Sequence, residues 1–489
     1  MSSKTKKTEA QPFEALHKEP GSFFKNIDFK RLGGLLIAAV LIAFFALFPP
    51  FKGLSEEGMA SIGFFLAAIV LFILQVAPLA VVSLSLMILL PFFKITTLSE
   101  IYANFGGTSF FFLLFAFGVT GAISNTTLPL RISAWVTKIS KGNPKALIYG
   151  FLFASAIISG FMSNFGTLIM FYGIISMFLK SAGMKPGQTQ LGKALVIGVS
   201  ISSAIGGFMS PAGTPGNLIT QAMLLDLGYD ITFAKWFVMC TPFALLATFL
   251  VATSVIILFK PEKMPQAARQ AVFDAKEKLG PMTSRETKAI IIVLITIALW
   301  FASSWVSFLN TTVVAGCAFF IMFLPGVDLM DWKTYVRETD WNMLFLVGSV
   351  AITMGCVNST GAIAWISDKM FSGLGNMSGY IMMLVVGLFV CALRVCIPTA
   401  PSMSAIFVPI MVGIAMAVGK EYTVSLAMLP TFWSVASMSL VFTEPMFVYT
   451  HGSGYFTPGE FFKAGLGPTV ILLLFTAWAF PVWFGLFGF

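Results

Sequence analysis

Gly192–Leu225 reads GKALVIGVSISSAIGGFMSPAGTPGNLITQAMLL. Its length and apolarity are those of a membrane-crossing helix. Its middle, SPAGTPGN at Ser210–Asn217, holds two prolines and two glycines beside Ser210, Thr214 and Asn217. Each proline removes a backbone donor and crowds the turn before it. Lipid offers nothing to the freed groups, so unwound backbone at membrane depth has to be buried in protein or line a wet cavity. A second break stands at Val441–Val448, VFTEPMFV. Matched breaks in the two halves of a chain mark the ion and substrate site of secondary transporters.

Composition agrees with a bundle of spans. The chain has 489 residues, of which 57% are hydrophobic and 10% charged, with a mean hydropathy of +0.89; soluble domains carry roughly 25% charged residues. The net charge of +9 is concentrated in a few polar segments, as membrane topology requires, and is not a nucleic-acid signal. The cysteines, Cys240, Cys317, Cys356, Cys391 and Cys396, have no ligand spacing or disulfide pattern, and His17 and His451 lie far apart. No metal or haem cofactor is implied.

In chain order the sequence predicts an all-α polytopic membrane protein of about eleven transmembrane helices plus two re-entrant hairpins, in two inverted repeats. Residues 1–31 form a basic cytoplasmic tail, and 32–58 the first span and its loop. The first repeat covers 59–259, with spans at Met59–Leu74, Ala77–Phe93 and Thr108–Ile123. A basic loop with Arg131, Lys138, Lys141 and Lys145 precedes a hairpin at 146–179. The broken helix 192–225 follows, and Trp236–Phe259 closes the repeat. Asp226 and Asp230 sit in an outer loop away from basic residues. Residues 260–288 are a cytoplasmic linker. The second repeat, 289–489, has spans at Ala289–Phe301, Thr311–Leu324 and Trp341–Cys356, a hairpin at 380–418 with the tip RVCIPTAPS, a broken helix at 424–449 and a last span at Gly465–Phe484. An odd number of spans puts the amino end inside and the carboxyl end outside the plasma membrane. Trp236, Trp332, Trp341 and Tyr422 fall at span ends, where aromatic residues anchor to the interface.

The first hairpin tip reads Ser163-Asn164-Phe165-Gly166-Thr167, and the first break Gly213-Thr214-Pro215-Gly216-Asn217. At these motifs the sequence resembles the divalent-anion:sodium symporter family of di- and tricarboxylate carriers, whose tip is Ser-Asn-Thr and whose break is Gly-Thr-Pro-Pro-Asn. FTPGEFFKAGL, Phe456–Leu466, is similar to the family's entry into its last span. The resemblance implies a first sodium site at Ser163, Asn164 and Gly213, with Thr167, Thr214 and Asn217 near substrate or ion. It also implies a homodimer and elevator-type motion. The second half departs: its tip reads Pro398-Thr399-Ala400-Pro401-Ser402 and its break Thr443-Glu444-Pro445-Met446. Thr399 and Ser402 there stand as substrate candidates, and Thr443 and Glu444 as ion candidates.

The chemistry reads without the family as well. Hard cations take oxygen ligands, and a helix that starts after a break points its positive end at an anion. Two intramembrane charges, Arg394 and Glu444, are functional candidates because burying a charge in lipid is expensive. Arg394 either pairs with Glu444, a fixed cation then replacing a second sodium, or binds the substrate anion while Glu444 serves as a protonatable coupling group. The expected function is secondary active transport of a small organic anion of the C4-dicarboxylate, 2-oxoglutarate or citrate type, coupled to sodium or protons or working by exchange. A sulfate or other inorganic oxyanion carrier is the alternative. An anion channel or an intramembrane enzyme has less support, since Ser163 has no His or Asp close in sequence.

Overall fold

Paired half-helices organise the fold. The computed structural model describes residues 29–489 apart from 125, 182, 307, 363–364, 367–368, 370–376, 395–396, 398 and 419. The basic tail over 1–28, and Val395, Cys396 and Pro398 of the second tip, lie outside the described residues. Among these residues there are helices and no strands.

One group of helices contains α1 (Phe29–Leu47), α2 (Glu56–Ile73), α3 (Leu79–Leu89), α4 (Leu98–Phe105) and α5 (Thr108–Ser124). Its second part is α13 (Ser284–Ala302), α14 (Thr311–Met322), α15 (Trp332–Glu338) and α16 (Trp341–Ser359). Helix α16 packs on α2, α3, α4 and α5, and α14 packs on α5 and α13. The other group contains α7 (Pro144–Ser159), α8 (Asn164–Ser181), α9 (Gln190–Gly206), α10 (Pro215–Asp226) and α11 (Phe233–Phe259). It is completed by α17 (Gly379–Leu393), α18 (Ala400–Val418), α19 (Thr423–Ala436), α20 (Pro445–His451) and α21 (Pro458–Gly485).

The order hairpin, half-helix, break, half-helix occurs twice. Helices α9 and α19 are the core of the second group. All 14 residues of α19 are buried, as is nearly all of α9. The hairpins α7–α8 and α17–α18 pack on their own α9 and α19, and the halves then interlock: α10 lies on α18 and α19, and α20 on α8 and α9. Ser200 Oγ to Thr450 Oγ1, 2.9 Å, and the Thr220–Thr431 hydroxyl pair join the halves through buried hydrogen bonds.

Helix α1 buries only Gly34 and Ala38 and turns Leu35, Leu36 and Val40 outward. An apolar surface of that kind suits lipid. Six stretches among the described residues are long and apolar enough to cross a membrane: Phe29–Leu47, Glu56–Ile73, Leu98–Ile123, Gln190–Met209, Phe233–Phe259 and Pro458–Gly485. Other apolar helices are shorter. The 12 residues of α14 reach about 18 Å, against a hydrocarbon core of about 30 Å, so helix length alone does not yield eleven spans.

Four local readings of the sequence differ from the structure. Residues read as a basic loop form α6, Leu128–Ser140, which rests Ala134 and Val136 on the bundle. The linker contains α12, Gln266–Lys278, packed on α6 and α8. In both segments charge density conceals an amphipathic helix. Asp230 has a nearby cation, Lys235 Nζ, at 2.9 Å. Trp236 is no interface anchor: it is fully buried and donates to the Phe208 carbonyl at 3.1 Å.

A largely buried ion pair fastens α6 to α13. Arg131 donates to Glu286 at 3.0 and 3.2 Å and to the carbonyls of Gly280 and Pro281. Glu286 also closes a capping box with Thr283. Removing one partner of a buried pair costs roughly 3–5 kcal/mol. Arg131→Ala is expected to lower the melting temperature in detergent, and the swap Arg131→Glu with Glu286→Arg to recover part of the loss. An unchanged melting temperature in Arg131→Ala would show that the pair does not hold the two segments together.

Candidate functional site

The first hairpin is set by its caps and its tip. Asn143 caps α7 by accepting from the N–H of Lys145 and Ala146, with Pro144 in the first turn. Four residues, Gly160 to Ser163, then turn the chain into α8. Asn164 ties this tip to the broken helix. Its Nδ2 donates to the Ala204 carbonyl at 3.2 Å, and its Oδ1 accepts from Ser159 Oγ at 2.9 Å. Ser159 and Ser155 continue the seam to Ser203 and Ser202. A Cβ on Gly207 would collide with the Asn164 amide, and one on Gly213 with the Gly207 carbonyl, so both positions require glycine for close approach.

After α9 and a short 3-10 turn at Gly207–Met209, Ser210 and Thr214 are extended and flank a turn at 211–213, and α10 begins at Pro215. Its carbonyls are satisfied internally. Asn217 Nδ2 donates to Gly207 O at 2.7 Å and to Ser210 O at 2.6 Å. Trp236 takes Phe208 O, and Ser210 Oγ donates to Gly160 O. Buried backbone groups of this kind must be paired. Among the described residues, four buried oxygens on these elements have no partner: Thr167 Oγ1, Ser203 Oγ and Asn217 Oδ1 by the tip and break, and Ser176 Oγ farther along α8. An unpaired buried acceptor calls for an explanation, and a hard cation is a natural partner for oxygens.

In the second half, Arg394 follows the last residue of α17. Its Nε donates to Ser434 O at 3.1 Å, and its other nitrogens donate to Ile397 O and Glu444 Oε1. Its side chain is 1% exposed. Glu444 precedes Pro445 at the start of α20.

The two tips and two breaks converge on one cavity of about 320 Å³. The first half contributes Ser163, Asn164, Phe165 and Ala212–Pro215, and the second half Ala400, Pro401 and Glu444–Met446. The opposite wall comes from the other group of helices: Leu113, Ala116, Phe117 and Thr120 on α5, with Asp340 and Met343 at the start of α16. Of the residues singled out from the sequence, Ser163, Asn164, Gly213, Thr214 and Glu444 line the cavity. Thr167, Asn217, Ser402 and Thr443 are buried behind its wall. Thr399 and Ser402 bond to each other at 2.6 Å, and Thr443 bonds to Leu440 O. Arg394 stands behind Glu444 and does not line the cavity. The α5 and α16 residues escaped the sequence reading because they carry no break or motif; the acid Asp340 just ahead of an apolar run was the one available signal.

A family model described as the sodium:sulfate symporter transmembrane region matches residues 30–488. The chain is similar to the sodium-dependent dicarboxylate transporter SdcS of Staphylococcus saprophyticus, 24% identical over 81% of this chain and 80% of that protein. The protein of the same name from Staphylococcus aureus strain USA300 is 22% identical over 93% and 92%. The crystal structure of the Alcanivorax borkumensis YdaH transporter has the same fold, with a TM-score of 0.58 at 15% identity, covering 94% of this chain and 99% of that one.

Asn217→Ala removes the amide donor to Gly207 O and Ser210 O; Ser210 O keeps the Gly213 N–H at 3.1 Å, and a buried acceptor left unpaired costs about 1–3 kcal/mol. The substitution is expected to lower the melting temperature clearly, and Asn217→Asp, which cannot donate, to do the same. A melting temperature indistinguishable from the parent's in both variants would show that the amide does not hold the break.

Proposed function

The chain belongs to the sodium:sulfate symporter transmembrane family, the divalent-anion:sodium symporters, and from that premise we propose that it is a sodium-coupled secondary carrier of small carboxylates in the plasma membrane. The carrying observation is the convergence of both tips and both breaks on one cavity. The substrate is of the C4-dicarboxylate, 2-oxoglutarate or citrate type, with one carboxylate received by Ser163, Thr214 and the start of α8, whose first N–H groups face outward from the helix. Sodium sits by Ser163, Asn164 and Gly213, and Asn217 and Thr167 supply further oxygens behind them. A cavity of about 320 Å³ with Leu113, Phe117, Met343 and Met446 on its walls suits an anion with a carbon skeleton better than sulfate.

Transport proceeds by elevator-type movement of the hairpin-bearing group against the other. In support, a second cleft of about 730 Å³ opens between the far end of α10, at Leu225 and Asp226, and α4, α5 and α16. Room therefore exists on both sides of the interface. The hairpins are re-entrant, the repeats inverted, the amino end cytoplasmic and the carboxyl end outside, and the carrier is a homodimer. The concentration of basic residues on α6 and α12 supports this orientation.

Proteoliposomes given labelled succinate, 2-oxoglutarate and citrate are expected to accumulate at least one of them when an inward sodium gradient is imposed, and to lose it when the gradient is collapsed. Ser163→Ala is expected to raise half-saturating sodium about tenfold, equivalent to about 1.4 kcal/mol. Uptake that needs internal anion and ignores sodium would replace symport by exchange.

A further inference from the structure

Corresponding positions in the two breaks carry different chemistry. Thr214 and Glu444 each precede the proline that opens the half-helix after a break. Their backbones agree, at φ −150° and ψ 143° against φ −140° and ψ 135°, and neither side chain caps its own helix. Gly160 and Arg394 also correspond, each following the last residue of a hairpin's first arm. Ala204 and Ser434 are both third from the end of the half-helix before the break. In the first half the Ala204 carbonyl takes the Asn164 amide; in the second the Ser434 carbonyl takes the Arg394 guanidinium. A glycine has become arginine and a threonine has become glutamate, and the two new side chains bind each other.

The Glu444 carboxylate reaches the cavity wall. There it is held by Arg394, with the backbone N–H of Ala400 at the start of α18 beside it. A cation and a helix N-terminus are donors that an anion would use. Each guanidinium nitrogen already has a partner, Nε on Ser434 O and the other two on Ile397 O and Glu444. The neighbouring Pro401 and Pro445 have no N–H. Thr399 Oγ1 donates to Ser402 Oγ, and Ser402 is buried behind the wall. Among the described residues no lysine, arginine or histidine lines the cavity. The first-half wall, with Ser163 and Thr214, keeps neutral donors for a carboxylate, and much of the remaining wall is apolar.

We infer that Glu444 is a tethered carboxylate filling the anion position of the second half, so that the carrier recognises its substrate by a single carboxylate, and a second one on the substrate gains nothing. This rests on the carboxylate-carrier reading above. It makes small monocarboxylates with an uncharged far end substrates as good as, or better than, their dicarboxylate counterparts.

Succinate and succinamate differ only in the replacement of one carboxylate by an amide. The full chain in proteoliposomes is expected to carry labelled succinamate at least as well as labelled succinate, judged by kcat/KM. Glu444→Ala frees Arg394 and the Ala400 N–H for the substrate, and is expected to move the ratio at least tenfold towards succinate. Glu444→Thr, which restores the residue type of position 214, should move it the same way and provides the second test if the alanine variant does not fold. A parent chain that prefers succinate tenfold or more, or Glu444 variants that fold and leave the ratio unmoved, would overturn the inference while leaving a carboxylate carrier standing. Uptake of neither compound, nor of 2-oxoglutarate or citrate, would sink the carrier reading and this inference together.

Discussion

Two helices stop in the middle of an apolar bundle, and every peptide group they release needs a partner inside the protein. That constraint explains the placement of the polar side chains around the site. Asn217 reaches back across the first break to Gly207 O and Ser210 O, Trp236 takes Phe208 O, and Ser210 reaches the hairpin at Gly160 O. In hydrocarbon each unsatisfied group would cost several kcal/mol. The tip residue Asn164 and the packing of Gly207 and Gly213 follow from the same need, because side-chain amides and close backbone approach replace the missing helical hydrogen bonds.

The two halves meet this constraint differently. In the first, neutral amides and hydroxyls suffice, and oxygens such as Asn217 Oδ1 are left without a protein partner. In the second, a charged side chain takes the carbonyls. A buried guanidinium is tolerated when it is paired and hydrogen-bonded, and Glu444, Ile397 O and Ser434 O give Arg394 one partner on each nitrogen. The same arrangement leaves the cavity with neutral donors on the first-half side and the Glu444 carboxylate on the second-half side, with Asp340 on the wall opposite both. A difference in how two helix breaks are satisfied thus becomes a difference in what a ligand meets.

The membrane class and the interruptions of the helices at Ser210–Asn217 and Val441–Val448 were readable from the chain, because proline, glycine and polar residues within apolar runs carry a direct backbone penalty; Ser163, Gly213, Thr214 and Glu444, singled out on that ground, line the cavity. Helix α6 was hidden because Arg131 and Lys138 on it, with Lys141 and Lys145 just after, mask an apolar face, and such a face becomes visible only when something packs against it. Trp236 was misread for a related reason: a tryptophan near a span end looks the same in sequence whether it meets lipid headgroups or a carbonyl of a broken helix.

By itself, then, the sequence determined which segments are apolar, where the helices must break and which charges are buried, since these follow from local composition and from the cost of peptide groups and ions in lipid. Only the tertiary structure decided which partner each of those groups finds. That Arg394 spends its donors on Glu444, Ile397 and Ser434, that Asp340 and Phe117 face the two tips across the cavity, and that α10 interlocks with α18 all depend on contacts between residues tens to hundreds of positions apart. Such contacts are set by side-chain packing in three dimensions, which no local pattern of residues encodes.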